Sequence, residues 1–163
     1  MPILRLIPED AEDYRALRFE SLREDPLGYA SALEDEADHP IGWFAEMLGR
    51  NAVFVAKGEG GEWAGMLGFR VDGMHRRRHV GYIWGMYVRR PQRGRGLGAA
   101  LMAAAMAHAQ TRVSIIQLAV GAANKGAIGL YERSGFSIYG TEIGTLMREG
   151  VAFDSHLMVR HLG

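Results

Sequence analysis

The sequence predicts an α/β fold, a mixed sheet with helices on both faces, and three features of the chain carry that expectation. Strand-like apolar runs alternate with helical patterns in the order ββ, β, α, β, α, β, β, after an amino-terminal pair of helices. The run Val113–Val120 is almost wholly apolar, as befits a strand covered on both faces. Between Met86 and Ala109 an apolar strand end passes through a glycine-arginine loop straight into an alanine-rich helix. With 163 residues and 48% hydrophobic content, the chain suits a single domain, 1–163, around one sizeable core.

Residues 2–7 read as the first strand. Pro8-Glu9-Asp10 punctuates it before a helix over 9–24, where Ala11, Tyr14, Leu17 and Phe19 or Leu22 form an apolar stripe. Pro26-Leu27-Gly28 ends that helix, and the stretch that follows carries Glu34, Asp35, Glu36 and Asp38. A second helix is expected from Pro40 to Leu48, with Asp38 or His39 near its start and Trp43, Phe44, Met47 and Leu48 turned inward. Ala52–Lys57 and Trp63–Val71, joined by a glycine-rich turn, form a hairpin.

The loop Met74–Arg78 leads to a strand at Val80–Val88, which feeds the glycine loop. The helix after that loop, over 97–111, holds seven alanines, small side chains that let a helix lie close to a sheet. Past Val113–Val120, Gly121–Lys125 is a loop and Gly126–Ser134 a short helix stopped by Gly135. Phe136–Glu142, Thr145–Arg148 and Val151–His161 read as the closing strands. There is no linker, no internal repeat and no low-complexity tract beyond the alanines.

The formal net charge is zero, yet it is unevenly spread. Residues 1–50 hold twelve acidic against five basic side chains, while Gly73–Tyr131 hold eight arginines, one lysine and no acid. A one-sign segment of this kind concentrates anions. The absence of cysteine removes disulfides, thiolate metal sites and a cysteine nucleophile, so any group transfer is direct or uses another nucleophile. The amino terminus lacks the long apolar core of a secretory signal. The longest apolar run, in Leu97–Ala107, is about half of what a bilayer span needs. A soluble, cytoplasmic protein with no membrane partner is the expectation.

Gly94, Gly96 and Gly98 alternate with Arg95 and Leu97, so the backbone can approach a ligand with no Cβ in the way. The helix that starts there leaves its first N–H groups unpaired, which together with the macrodipole suits phosphate. Arg89, Arg90, Arg93 and Arg95 add charge around it. A Walker loop would need Gly-Lys-Ser/Thr next, which is absent. Gly94, Gly96 and Ala99 satisfy the dinucleotide pattern G-x-G-x-x-A, but the acid it requires about 20 residues on is missing. The run Arg93-Gly94-Arg95-Gly96-Leu97-Gly98, after an apolar strand, resembles the R/Q-x-x-G-x-G/A pyrophosphate loop of the GNAT N-acetyltransferase superfamily. Asn124, Ala127 and Tyr131-Glu132-Arg133-Ser134-Gly135-Phe136 resemble that family's N-x-x-A-x-x-x-Y-E-x-x-G-F segment, at the expected distance from the loop.

The resemblance implies a mostly antiparallel sheet of about seven strands flanked by about four helices, with one splayed strand pair. It implies acetyl-CoA as co-substrate, no metal, and transfer of the acetyl group to a primary amine of a small or peptidyl acceptor; it also admits a homodimer. The pyrophosphate would lie on Arg93, Gly94, Arg95, Gly96, Leu97, Gly98 and Ala99, and the pantetheine arm along Met86, Tyr87 and Val88. Asn124, Ala127 and Tyr131 would complete the contacts, with Tyr131 protonating the departing thiolate.

An amine must be neutral to attack, which calls for a base or a desolvating pocket. The strand before the loop offers no acid, so Glu34 and Glu36 become the candidate bases, because the corresponding segment lines the acceptor side in relatives. His75, His79 and water are alternatives. An acid-lined entrance points to a cationic acceptor such as a polyamine, an aminoglycoside or a lysine side chain.

A second reading, a nucleic-acid or acidic-partner binding module, rests on Arg76, Arg77 and Arg78 together with Arg89, Arg90, Arg93 and Arg95. Against it stand the zero net charge and the acidic first fifty residues, which would repel a polyanion. A dinucleotide oxidoreductase is the weaker third reading.

Overall fold

Residues Ala52–Lys57 form a strand, β2, that is buried along nearly its whole length. Ala52, Phe54 and Ala56 belong to one apolar cluster and Val53 and Val55 to another, because successive side chains of a strand point to opposite faces. Both faces of the sheet are therefore covered. The first cluster packs beneath α4 (Leu97–Ala109) and α5 (Lys125–Arg133), and the second beneath α1 (Ala11–Glu24) and α3 (Ile41–Arg50). In α4 the alanines do what their size suggests: Ala105 and Ala109 are fully buried beside Leu101 and Met102, bringing the helix close to the sheet.

The computed structural model describes residues 2–163. Besides β2, the sheet contains β1 (Ile3–Arg5), β3 (Trp63–Val71), β4 (Val80–Val88), β5 (Ile115–Gly121), β6 (Ser137–Arg148) and β7 (Val151–His161). Their order is β1-β2-β3-β4-β5-β7-β6. Every neighbouring pair is antiparallel except β4 with β5, which run parallel.

The structure departs from the expected element pattern in three places. The acidic stretch between α1 and α3 winds into a fifth short helix, α2 (Leu33–Glu36), where the Ala32 amide donates to the Asp35 carboxylate at 2.7 Å. The two strands expected at 136–142 and 145–148 are one, β6; Gly144, at φ 64°, absorbs an irregularity between Glu142 and Leu146, and its amide donates to Asp154 at 2.8 Å. Trp43 does not turn inward with Phe44 and Leu48. It is 38% exposed and stacks on His39, ring centroids 4.1 Å apart.

Two irregularities of β4 shape the functional region. Its parallel pairing with β5 covers only Val80↔Ile115, Gly81↔Ile116 and Tyr82↔Gln117, after which the strands part. On its other edge the register passes from Gly68↔Trp84 to Met66↔Tyr87, so Gly85 and Met86 together face Leu67. This is a β-bulge, and Gly85 takes it up at φ 63°, in the left-handed region that side chains disfavour.

Candidate active site

A cavity of about 430 Å³ fills the gap between the parted ends of β4 and β5 and reaches the glycine loop. Its far wall is α5 and its near rim is the connection after α1, through Asp25 and Gly28.

The loop end is built from backbone. Arg90–Gln92 form a single 3-10 turn, and Arg93 is anchored by its Nε, which donates to the Val88 carbonyl at 2.8 Å. Gly96 sits at φ 81° and opens α4, whose first intrahelical bond is from Ala100 to the Gly96 carbonyl at 3.0 Å. The amides of Leu97, Gly98 and Ala99 thus have no partner within the helix, and no side chain caps them. These free N–H groups and the helix dipole face the cavity, the arrangement a phosphate group fits.

The charge around this end is less concentrated than the arginine count suggests. Arg89 turns away and binds Glu20 through two bonds of 2.8 Å, and this contact holds the Glu20 carboxyl below its ordinary range. Arg77 likewise donates to Asp72 at 2.9 Å. Both are arginines the nucleic-acid reading requires. Arg93 and Arg133 line the cavity.

Of the residues assigned to the cofactor from sequence, Met86, Tyr87, Val88, Arg93, Gly94, Gly96, Leu97, Gly98, Ala99, Asn124, Ala127 and Tyr131 all line this one cavity. Arg95 does not. It lies outside, 3.8 Å from Glu59 of the β2–β3 hairpin, because the turn at Gly94 and Gly96 points the intervening side chain outward.

Asn124 caps α5, accepting from the Ala127 amide at 3.2 Å. Tyr131 is 6% exposed, edge-on to Phe136, and its pKa is raised well above the usual tyrosine value by burial and then by the Asp25 carboxylate. The phenol therefore holds its proton at physiological pH.

The acids and histidines singled out from sequence fall elsewhere. Glu36 is buried, and both of its oxygens accept from Arg18: Nε donates to each at 3.1 Å and Nη2 to one at 2.8 Å. Glu34 is exposed and borders a different groove, between the connection after α1 and Thr145–Arg148 of β6. His75 and His79 are exposed, and neither borders the cavity. Among the described residues no three His, Asp or Glu side chains are grouped to hold a metal ion.

The acid on the cavity rim is Asp25, which sequence reasoning passed over as the end of a helix before Pro26. Tyr29 was missed as well. Its hydroxyl donates to the Met86 carbonyl at 2.9 Å, and the Arg18 guanidinium lies 5.0 Å from its ring centroid. An acid at a helix end and a lone tyrosine beyond it carry no motif, so only the fold could bring them to β4.

The profile of the acetyltransferase (GNAT) family matches residues 8–136. A mycothiol acetyltransferase of Propionibacterium freudenreichii subsp. shermanii is 30% identical over 84% of this chain and 48% of its own length. Its counterpart from Thermobispora bispora is 29% identical over 83% and 50%. The chain thus spans about half the length of the curated relatives it matches. Among solved structures, an acetyltransferase of the GNAT family from Streptococcus pneumoniae superposes with a TM-score of 0.86 at 25% identity, covering 99% of each chain. A GNAT superfamily phosphinothricin acetyltransferase from Sinorhizobium meliloti, solved in complex with acetyl-CoA, shares the fold with a TM-score of 0.82 at 20% identity over 99% of this chain and 88% of that one. By the family profile, and by the strand, loop and helix that build its cavity, the chain belongs to the acetyltransferase (GNAT) family.

Proposed function

We propose that this protein is an acetyl-CoA-dependent N-acetyltransferase that passes the acetyl group directly to a primary amine. The observation that carries the reading is the continuity of one cavity, from the uncapped start of α4, through the gap between β4 and β5, to Tyr131 and Asp25. Bound there, acetyl-CoA supplies an activated thioester whose acetyl carbon an amine can attack.

The chain's own residues divide the remaining work. The amides of Leu97, Gly98 and Ala99 hold the pyrophosphate, and Arg93 adds charge beside them. Beyond Tyr82, β4 has no partner strand on the β5 side, so its outward N–H groups are free for the pantetheine arm and the thioester carbonyl. Asp25 lines the same cavity, and in this scheme its carboxylate holds the ammonium group of the acceptor and accepts its proton. As the nitrogen–carbon bond forms, the carbon–sulfur bond breaks, and Tyr131, kept protonated by its burial, delivers a proton to the sulfur.

Glu36, fully engaged by Arg18, is an anchor between α1 and α2 in this scheme, and Glu34 stands outside it. The acceptor is an amine whose positive charge Asp25 attracts, in keeping with the cationic acceptor expected from sequence.

The test is an amine screen with acetyl-CoA, following free thiol and confirming the acetylated product by mass spectrometry. Amine-dependent thiol release is expected. Tight acetyl-CoA binding with no thiol release for any amine would overturn the assignment of the acceptor class.

A further inference from the structure

The peptide groups around Met86 lie where neither neighbouring strand holds them in a regular ladder. Toward β3 the bulge sets Gly85 and Met86 against Leu67 alone. Toward β5 the strands have already parted at Tyr82 and Gln117. A stretch with an irregular ladder on one edge and none on the other, next to a glycine at φ 63°, is free to rotate its peptide planes unless something else fixes them.

That fixing contact comes from a residue 57 positions away in sequence. The Tyr29 hydroxyl donates to the Met86 carbonyl at 2.9 Å. Tyr29 is itself held in place. The Arg18 guanidinium lies 5.0 Å from its ring centroid, and Arg18 is clamped by Glu36 in a buried ion pair of 2.8 Å. A chain of contacts therefore runs from α2 through α1 to the bulge.

Resting on the acetyl-CoA reading above, we propose that Tyr29 is a positioning residue for acyl transfer: by holding the Met86 carbonyl it presents the Met86 N–H to the thioester oxygen. The Met86 carbonyl shares its peptide plane with the Tyr87 N–H, and the Met86 N–H belongs to the plane before it; in an extended residue both project from the same strand edge, so pinning the carbonyl leaves the Met86 N–H only the rotations about its own Cα. A donor fixed before the substrate arrives loses nothing to reorganisation when negative charge develops on that oxygen. The tie also explains why a phenol is used. A phenol keeps its proton near neutral pH, and burial raises the Tyr29 pKa further.

Difference infrared spectroscopy of bound acetyl-CoA, isotopically labelled at its carbonyl carbon, reads this contact without any acceptor. In the wild type the carbonyl stretch moves to lower frequency on binding. Tyr29→Phe keeps the ring against Arg18 and removes only the hydroxyl; the stretch should return toward its free value, while calorimetry gives unchanged affinity for CoA. Tyr29→Leu should lose the same shift and, in addition, stability, which separates the hydroxyl from the packing of the ring. An undiminished shift in Tyr29→Phe with normal CoA affinity overturns the positioning role alone. Failure of the wild type to bind acetyl-CoA overturns this role and the functional reading together.

Discussion

Arg18 and Glu36 face each other in the interior, 6% and 8% exposed, joined by three hydrogen bonds between a guanidinium on α1 and a carboxylate on α2. Such a pair stabilises little beyond what its burial costs, but each member depends on the other. Arg18 is the more exposed to loss, since its Nη1 is already buried without a partner. Glu36→Ala should therefore destabilise the fold by about 3–5 kcal/mol, the usual effect of stranding a buried charge. Urea unfolding measures it, and a loss below about 1 kcal/mol would place the pair among weak surface bridges instead.

Gly96→Val tests the phosphate end. The substitution forces a β-branched residue into φ 81°, costing about 1–3 kcal/mol of strain, and puts a Cβ beside the free amides of α4. Acetyl-CoA affinity measured by calorimetry should fall by at least about tenfold, the equivalent of 1.4 kcal/mol. Retained affinity in a folded variant would show that the pyrophosphate lies elsewhere.

Tyr131→Phe should lower kcat by about 10²- to 10⁴-fold, the usual contribution of a positioned acid. Affinity for CoA should be little changed, because the ring and its contact with Phe136 remain. The deficit should shrink at high pH, where a thiolate with a thiol pKa of about 8.5 needs protonation less. Wild-type turnover across the pH range would leave Tyr131 as a core side chain.

The Arg89–Glu20 contact predicts a dependence of stability on acid. Arg89 lowers the Glu20 pKa from its ordinary 4.5 in the folded protein. A depressed folded value means that the contribution is fully present above the unfolded pKa and is lost as pH falls through the folded one. Thermal melts should therefore lose stability below pH 4.5. Glu20→Gln should flatten that part of the curve; an identical acid profile in the variant would show that the pair contributes nothing.

What the sequence disclosed and what it withheld divide along contact distance. The glycine loop, the helix it opens and the segment from Asn124 to Phe136 are local patterns, so their residues could be named, and they line one cavity. The rest of the cavity wall is assembled from pieces with no local pattern. Asp25 ends a helix, Tyr29 stands in an irregular stretch, and Trp84 reaches across the sheet to Gly68, where a Cβ would lie 2.3 Å from its Cε2 atom. Glu36 read as a carboxylate available to act as a base because its partner, Arg18, is 18 positions earlier on another helix. Charge counts misled for the same reason, since the acid that binds Arg89 lies 69 positions before it.

The short pairing of β4 with β5 also sets how the molecule responds to load. Three residue pairs join a half-sheet of β1 to β4 to a half-sheet of β5, β7 and β6, and the rest of the boundary is open. The two halves form a fork with its stem at Val80–Tyr82. A ligand that bonded to both tines would stiffen the fork as well as fill it. The open ends of β4 and β5 are accordingly the part of the sheet whose backbone amides should exchange with solvent fastest in the free protein and slow most when acetyl-CoA is bound.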